Sequence, residues 1–595
     1  MPPRTKAKSL PRIALAGGSG ASSVLSHAAA ALLPFFSTWE ACALRLVCRE
    51  FCGAVSAHPW MDSETVIKGS LGKWRACFPR AKAANVRNCV EDIMSEVRSK
   101  PVVNADFKHL VGLQKLVMAG CRNVTGAAFS RLRGIHTLDM SFCSQEGITD
   151  AAFAHLKGIH TLDMRLCEQD TITDAAFAHL RGIHTLNMNG CSQETITDAA
   201  FAHLAGIHTL SMEDCTQDAI TSTAFSYLRG IHTLNMSGCN QDTITDAAFA
   251  HLRGIYSLGM GYCDQPTITD SAFFHLKGIN TLDMSGCTIT DAAFAHLRGI
   301  HMLEITGCRE ITDAAFSHLR GIHTLIMVRC HTITDAAFVH LAGIHSLNML
   351  HCSQATITDA AFAHLAGIHT LNMHGCCQRT ITNAAFAHLR GIHTLDMMNC
   401  NQPTITDAAF AHLRGIHTLD MRSCNQRTIT DAAFAHLRGI HTLDMSGCTQ
   451  LTSAAFPPLA GIHTLSMSNC SQDTITDAAF AHLKGIHTLD MSFCKQDAIT
   501  DAAFAHLRGI HTLNMGYCSQ RAITNAAFAH LRGIHTLDMS WCDQATITAA
   551  AFSHLKGIYR LDMAGCRVRA KLAALARGLR AEIEFSYGPF GCLHF

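Results

Sequence analysis

Apolar and polar positions in this chain repeat with a period far longer than that of a helix or a strand. From Thr428 to Cys448 it reads TITDAAFAHLRGIHTLDMSGC, and close copies of this stretch fill most of the sequence. Leu443 and Met445 alternate with polar neighbours, the two-residue period of a short strand with one buried face. The stretch ITDAAFAHLRG carries helix signals: Thr430 or Asp431 as N-cap, Phe434 and Leu437 three apart, and Gly439 placed to end the turn. Each unit therefore predicts strand, turn, short helix, turn. Neither half is stable alone, because a helix of about eight residues is marginal in water and a single strand has no partner.

The period is marked by a cysteine that returns from Cys121 and Cys143 through Cys448 to Cys542 and Cys566, usually after 24 residues. Where the step shortens, as from Cys287 to Cys308, the missing letters come from the segment after the cysteine, where a surface turn tolerates length changes. Stacked units would line their strands into a parallel concave sheet and their short helices along a convex side. Ile429, Phe434, Leu437, Ile440, Leu443 and Met445 would fill the space between. The spacing of Ile440, Leu443, Met445 and Cys448, with the Ile-Thr-Asp that opens each helix, resembles the cysteine-containing subclass of leucine-rich repeats. The resemblance implies an α/β solenoid of about 21 repeats over residues 66–587, with atypical ends: Ala81, Ala84, Val86 and Cys89 fit a first strand, and AEIEFSYG a closing one.

Composition narrows the function more than it defines it. Forty-seven basic and 46 acidic residues leave a net charge of +1, so the total recommends neither nucleic acid nor membrane as partner. No apolar run approaches the roughly 20 residues of a membrane span. No nucleophile elbow, phosphate loop or zinc-protease motif is present, so no enzyme, catalytic residue, metal or cofactor is expected. The repeated cysteines lack any Cys-x-x-Cys pairing and read as a buried ladder of small thiols bonded to turn backbone. The paired histidines of each unit, such as His436 and His441, would form two imidazole columns stepping about 5 Å per unit, with no fixed carboxylate or thiol to complete a metal site. Asp431 and Arg438 follow the helix dipole as solvated charges.

Residues that differ between copies are where one unit can do what its neighbour does not. On the outward strand positions these include Phe142, Leu166, Tyr262, Arg422, Phe493, Tyr517 and Trp541, a mixture of aromatic, aliphatic and arginine side chains suited to protein recognition. Phe493, Tyr517 and Trp541 fall in consecutive units and should lie side by side. Asp396, Asp420 and Asp444 place like charges one strand apart, a repulsion that a basic partner relieves.

Residues 1–22 are basic and rich in turn-forming residues and read as a disordered tail; residues 588–595 form a second tail. Between them, residues 23–65 fit a small all-α module. Within it LRLVCREFCGAVSAHPW, from Leu44 to Trp60, resembles the second half of an F-box, although the family's opening Leu-Pro-x-Glu is missing. The resemblance implies docking on the Skp-type adaptor of a cullin scaffold, with Leu32, Leu33, Pro34, Phe35, Leu44, Leu46 and Val47 in the helical core or the adaptor-facing surface. The expected function is then the substrate-recognition subunit of an SCF-type ubiquitin ligase, in the cytoplasm or nucleus. The alternative is a non-catalytic binding scaffold whose N-terminal helices only cap the first strand.

Overall fold

The computed structural model describes residues 49–88, 101–542, 544–566 and 582–584, with isolated positions between 33 and 45. The chain divides into two compact units, one ending at Ser211 and the other beginning at Met212 apart from residues 91–96.

In the first unit, three-residue strands from Ala83–Asn85 through Lys115–Val117 to Thr209–Ser211 pair in parallel, each with the next in sequence. The register never slips, so Leu116, Leu138, Leu162, Leu186 and Leu210 stand in one row. In the second unit the same pairing runs from Thr233–Asn235 to Arg560–Asp562 and on to a closing strand, Glu582–Glu584. One-residue slippage would turn every leucine to water, and that penalty fixes the register. Leu443, Met445, Phe434 and Ile429 are fully buried, as the alternation requires.

The helical half of each rung is shorter than the sequence signals imply. In the rung of Cys448 the α-turn spans Asp431–Phe434, and in that of Cys494 a further tight turn covers Ala481–Leu483. Thr430 is the N-cap, its hydroxyl accepting from Ala432 N at 3.2 Å. Gly439, at φ 84°, ends the segment in a conformation that favours glycine. Asp431 is more than a solvated charge. Its carboxylate accepts from Thr452 N and Thr452 Oγ1 of the next rung at 2.8 and 2.5 Å, and Asp407 holds Thr430 in the same way at 2.7 and 2.7 Å. These charge-assisted bonds staple neighbouring rungs on the helical side.

Behind the strands runs the thiol ladder. The Cys448 thiol donates to Met421 O at 3.1 Å, one rung back, and Cys424 donates to Met397 O at 3.1 Å. Burial pushes these thiols up, Cys143 and Cys470 to about 11 and Cys191 and Cys494 to about 12. A thiol with so little thiolate at neutral pH is a hydrogen-bond donor, not a nucleophile.

The first strand would expose an unpaired edge, and residues before it cover that edge. Val66 bridges to Asn85, Ile67 N donates to Asn85 O at 2.9 Å, and the Asn85 side chain donates to Ser63 O at 3.0 Å. Trp60 is fully buried, packs edge-on to Phe78 at 5.6 Å, and its carbonyl accepts from Lys82 N and Ala83 N. Arg75 reaches the carbonyls of His109, Ala81 and Val111 and so ties the helix Leu71–Cys77 to the following rung. Of the residues expected to serve an adaptor, Leu33 is buried; Leu32, Pro34, Phe35, Leu44, Leu46 and Val47 lie outside the described residues.

Candidate partner-binding face

Three variable positions of each rung lie on the strand face: the one before the methionine, the one after it, and the one before the cysteine. The first is usually Asp or Asn, and the structure gives it a local task. Asp444 Oδ1 accepts from Ser446 N at 2.9 Å, Asp490 from Ser492 N at 2.9 Å and Asn514 from Gly516 N at 3.0 Å, so the side chain pins the turn that ends the strand. The second carboxylate oxygen is left to face outward or meet a neighbour. Burial, followed by the adjacent Asp420 carboxylate, holds Asp396 above the ordinary carboxylate range, and burial and Asp420 do the same to Asp444.

The residue before the cysteine stands apart. In every described rung from Cys121 to Cys566 its backbone is left-handed. Eight rungs meet this demand with glycine, such as Gly190, Gly286, Gly447 and Gly565; twelve place another residue there, including Phe142 (φ 60°), Leu166 (53°), Tyr262 (59°), Phe493 (57°), Tyr517 (58°) and Trp541 (56°). An L-residue held in this region loses about 1–2 kcal/mol relative to a right-handed conformation. Six of the seven contact residues expected from the sequence occupy this one strained position.

The side chains at this position lean toward the next rung. A Cβ added at Gly190 would fall 2.7 Å from Leu166 Cδ2, one at Gly286 2.8 Å from Tyr262 Cδ1, and one at Gly565 would overlap the Trp541 indole. A glycine one rung on thus makes room for the bulky residue before it. Where no glycine follows, the rings stack: Phe493 on Tyr517 at 4.4 Å and 9°, and Tyr517 on Trp541 at 5.8 Å and 12°. Phe493 and Trp541 remain 42% and 43% exposed, and Tyr262, alone over its glycine, 65%. In the first unit Phe142 and Leu166 occupy adjacent rungs and are likewise exposed.

Arg422 differs from the other six. It follows the methionine instead of preceding the cysteine, and it is engaged internally, its guanidinium 2.6 Å from Asp420 and 3.6 Å from Asp444. The row Asp396, Asp420, Asp444 is therefore partly neutralised from within.

The strand-start histidines form the column expected, and a tighter one than a strand spacing alone implies. In the second unit eleven imidazoles from His301 to His535 stack at 4.4–4.6 Å, closed by Tyr559 at 4.7 Å. In the first unit His136, His160, His184 and His208 stack at 4.6 Å. Nδ1 of such a ring meets the hydroxyl of the following threonine, as His441 meets Thr442 at 3.1 Å. The helix-end histidines accept instead from arginines: Arg181 Nε donates to His203 Nδ1 at 3.2 Å, and Arg508 to His530 at 3.3 Å. Among the described residues no three His, Cys, Asp or Glu side chains converge to hold a metal ion.

Neither the left-handed strain nor the inter-rung Thr–Asp staple follows from the sequence pattern as read above. A signal for the first is present in the letters, since the residue before the cysteine alternates between glycine and everything else. The staple has no local signature, because its partners lie a full rung apart.

Residues 146–280, 243–369 and 355–487 match the family described as "BspA type Leucine rich repeat region", in six copies. The matched residues begin at 146, so the F-box-like segment has no family match of its own. No curated protein matches the chain. Among solved structures it is similar to the crystal structure of a TLR13-ssRNA13 complex, with a TM-score of 0.55 and 14% identity over 82% of this chain and 79% of that one. At that identity the likeness speaks to fold alone. More than half of the sequence lies between the ends of the family match, in rungs that repeat one strand, one turn and one capped helical turn; the chain belongs to the BspA-type leucine-rich-repeat family.

Proposed function

We propose that this protein is a non-catalytic scaffold that binds a macromolecular partner on its strand face, through the side chains held at the left-handed position. The observation that carries this reading is the presence of Phe142, Leu166, Tyr262, Phe493, Tyr517 and Trp541 where glycine serves eight sister rungs with less strain. Backbone strain concentrates at functional sites, and large exposed aromatic side chains supply most interface energy. Stability alone does not account for their presence. The test is a photoreactive phenylalanine analogue placed in turn at Tyr517 and at Ala435, an exposed helix-side position. Partner cross-links should form at the first and not at the second. Equal yields at both would remove the strand face from consideration.

Two narrower readings concern the partner. The similar solved structure holds TLR13 in complex with ssRNA13. For this chain the strand face carries rows of carboxylates, which repel a phosphate backbone, and a protein partner is favoured. The second reading assigns the chain to an SCF-type ubiquitin ligase, with the N-terminal segment docking a Skp-type adaptor that in turn binds a cullin. What supports it is the Leu44–Trp60 motif, whose helix Arg49–Ala57 leads directly into the buried Trp60. Co-purification of the full chain with the adaptor, abolished by Leu46→Asp, is the expected result. Failure of the unaltered chain to co-purify leaves these helices the single task of capping the first strand.

A further inference from the structure

The aromatic column has a chemical surrounding that narrows what can lie on it. From Asp396 to Gly565 the three variable positions carry six carboxylates, Asp396, Asp420, Asp444, Asp490, Asp538 and Asp562, and a single cation, Arg422. At these positions the charge runs against the +1 of the whole chain; the nearby cations are Arg560, exposed at the outward start of its strand, and Lys495, just after Cys494. Arg422 is occupied by Asp420 and Asp444 and does not reach the rungs of the aromatic column. In those rungs Asp490 and Asp538 stand three residues before Phe493 and Trp541, each using Oδ1 to pin its own turn. A strip of stacked rings thus runs beside Asp490 and Asp538, with Asn514 between them, and no lysine or arginine stands at these positions between Ser446 and Gly565.

Resting on the scaffold reading above, we infer that the rungs of Phe493, Tyr517 and Trp541 dock an extended, arginine- and lysine-rich segment of a partner protein. Lysine and arginine combine the two features this strip asks for: an aliphatic stem that lies on apolar surface and a cationic head that seeks carboxylate. A guanidinium also stacks on an aromatic ring such as the free end of the column at Phe493. The face repels an acidic segment, and a purely apolar one would strand the carboxylates. The neighbouring row supports the same occupant: burial and, after it, the adjacent Asp420 carboxylate raise Asp396 and Asp444, and an approaching cation offsets the second of these.

The experiment uses the full chain and a dye-labelled peptide of alternating arginine and glycine, about eight residues long, enough to cross the rungs from Cys448 to Cys566 at strand spacing. Fluorescence anisotropy is read at low and high salt. A glutamate–glycine peptide of equal length and a uridine homopolymer serve as competing probes. The triple variant Phe493→Gly, Tyr517→Gly, Trp541→Gly installs the residue that eight rungs already use, so its thermal midpoint should hold or rise while arginine-peptide affinity falls about tenfold or more. Asp490→Asn with Asp538→Asn keeps the turn-pinning oxygen, as Asn514 does, and should weaken binding and flatten its salt dependence. Unchanged affinity in the triple variant overturns the inference, as does binding of the glutamate peptide or the uridine polymer as tight as that of the arginine peptide. Such an outcome, with cross-links still forming at Tyr517, discards the basic occupant and leaves the scaffold reading intact; loss of both discards both.

Discussion

Two positions recur once per rung at the protein surface, and they are built on opposite principles. The imidazole column repeats histidine in most rungs at an unstrained backbone position, its rings stacked on their neighbours and, as at His441, meeting a threonine hydroxyl. The column before the cysteine changes from rung to rung at a backbone position where all but glycine are strained. Repetition without strain is what copying a tolerated residue produces. Variation under strain is what remains when something other than folding chooses the residue, and on that contrast rests the proposal that the first column is frame and the second serves recognition.

Substitutions in either column, and in the core beneath both, put this contrast to the test. The largest effect should come from the frame that the columns share: Phe434→Ala opens a cavity at a fully buried site and should destabilise the second unit by about 3–5 kcal/mol in chemical denaturation. In a stacked architecture that loss should spread to adjacent rungs and broaden the transition. Thr430→Val removes the N-cap and half of the link to Asp407 while keeping the shape; it should cost about 1–2 kcal/mol by the same measurement. Phe142→Gly should act with the opposite sign, raising stability by up to about 1 kcal/mol through relief of strain while weakening partner capture. If it destabilises instead, the ring belongs to the frame and the contrast fails in the first unit.

The smallest effect concerns pH. Partial desolvation, then repulsion between neighbouring rings, holds His160, His323, His487 and His511 below the ordinary imidazole value. A folded value below the unfolded one means that the unfolded chain takes up protons first. The column's contribution is therefore intact above the unfolded pKa of about 6.5 and declines as pH falls from there toward the lower folded values. The thermal midpoint should drop modestly between about pH 7.5 and about pH 5.5, and replacing alternate histidines of the column by glutamine should flatten that slope.

Much of the solenoid is legible in the letters because its period is enforced many times over. Leu443 and Met445 announce a strand, Gly439 a helix end, and Cys448 a buried turn, and one misread copy is corrected by the others. The face is legible only in part. Phe493, Tyr517 and Trp541 can be placed in one row from their spacing, but their left-handed backbone arises from the turn geometry, which spacing does not encode. Arg422 groups with them by residue type, yet it sits one position earlier in its rung and is absorbed by Asp420 and Asp444. Asp431 reads as a lone helix charge because its partner, Thr452, belongs to the next rung.

The Thr–Asp staple also bears on how such a chain grows. Each aspartate accepts from a threonine N–H and hydroxyl in the copy after it, and Asn383, where aspartate is replaced, keeps the link by accepting from Thr406 N and donating to Thr406 Oγ1. Copies that carry aspartate or asparagine at this position can therefore follow one another through the same link, whereas Gly126 and Ala549 offer no side-chain acceptor there. Gene duplication or loss of whole units that keep this pair then changes the length of the strand face like beads on a string, with the same staple formed at each such junction.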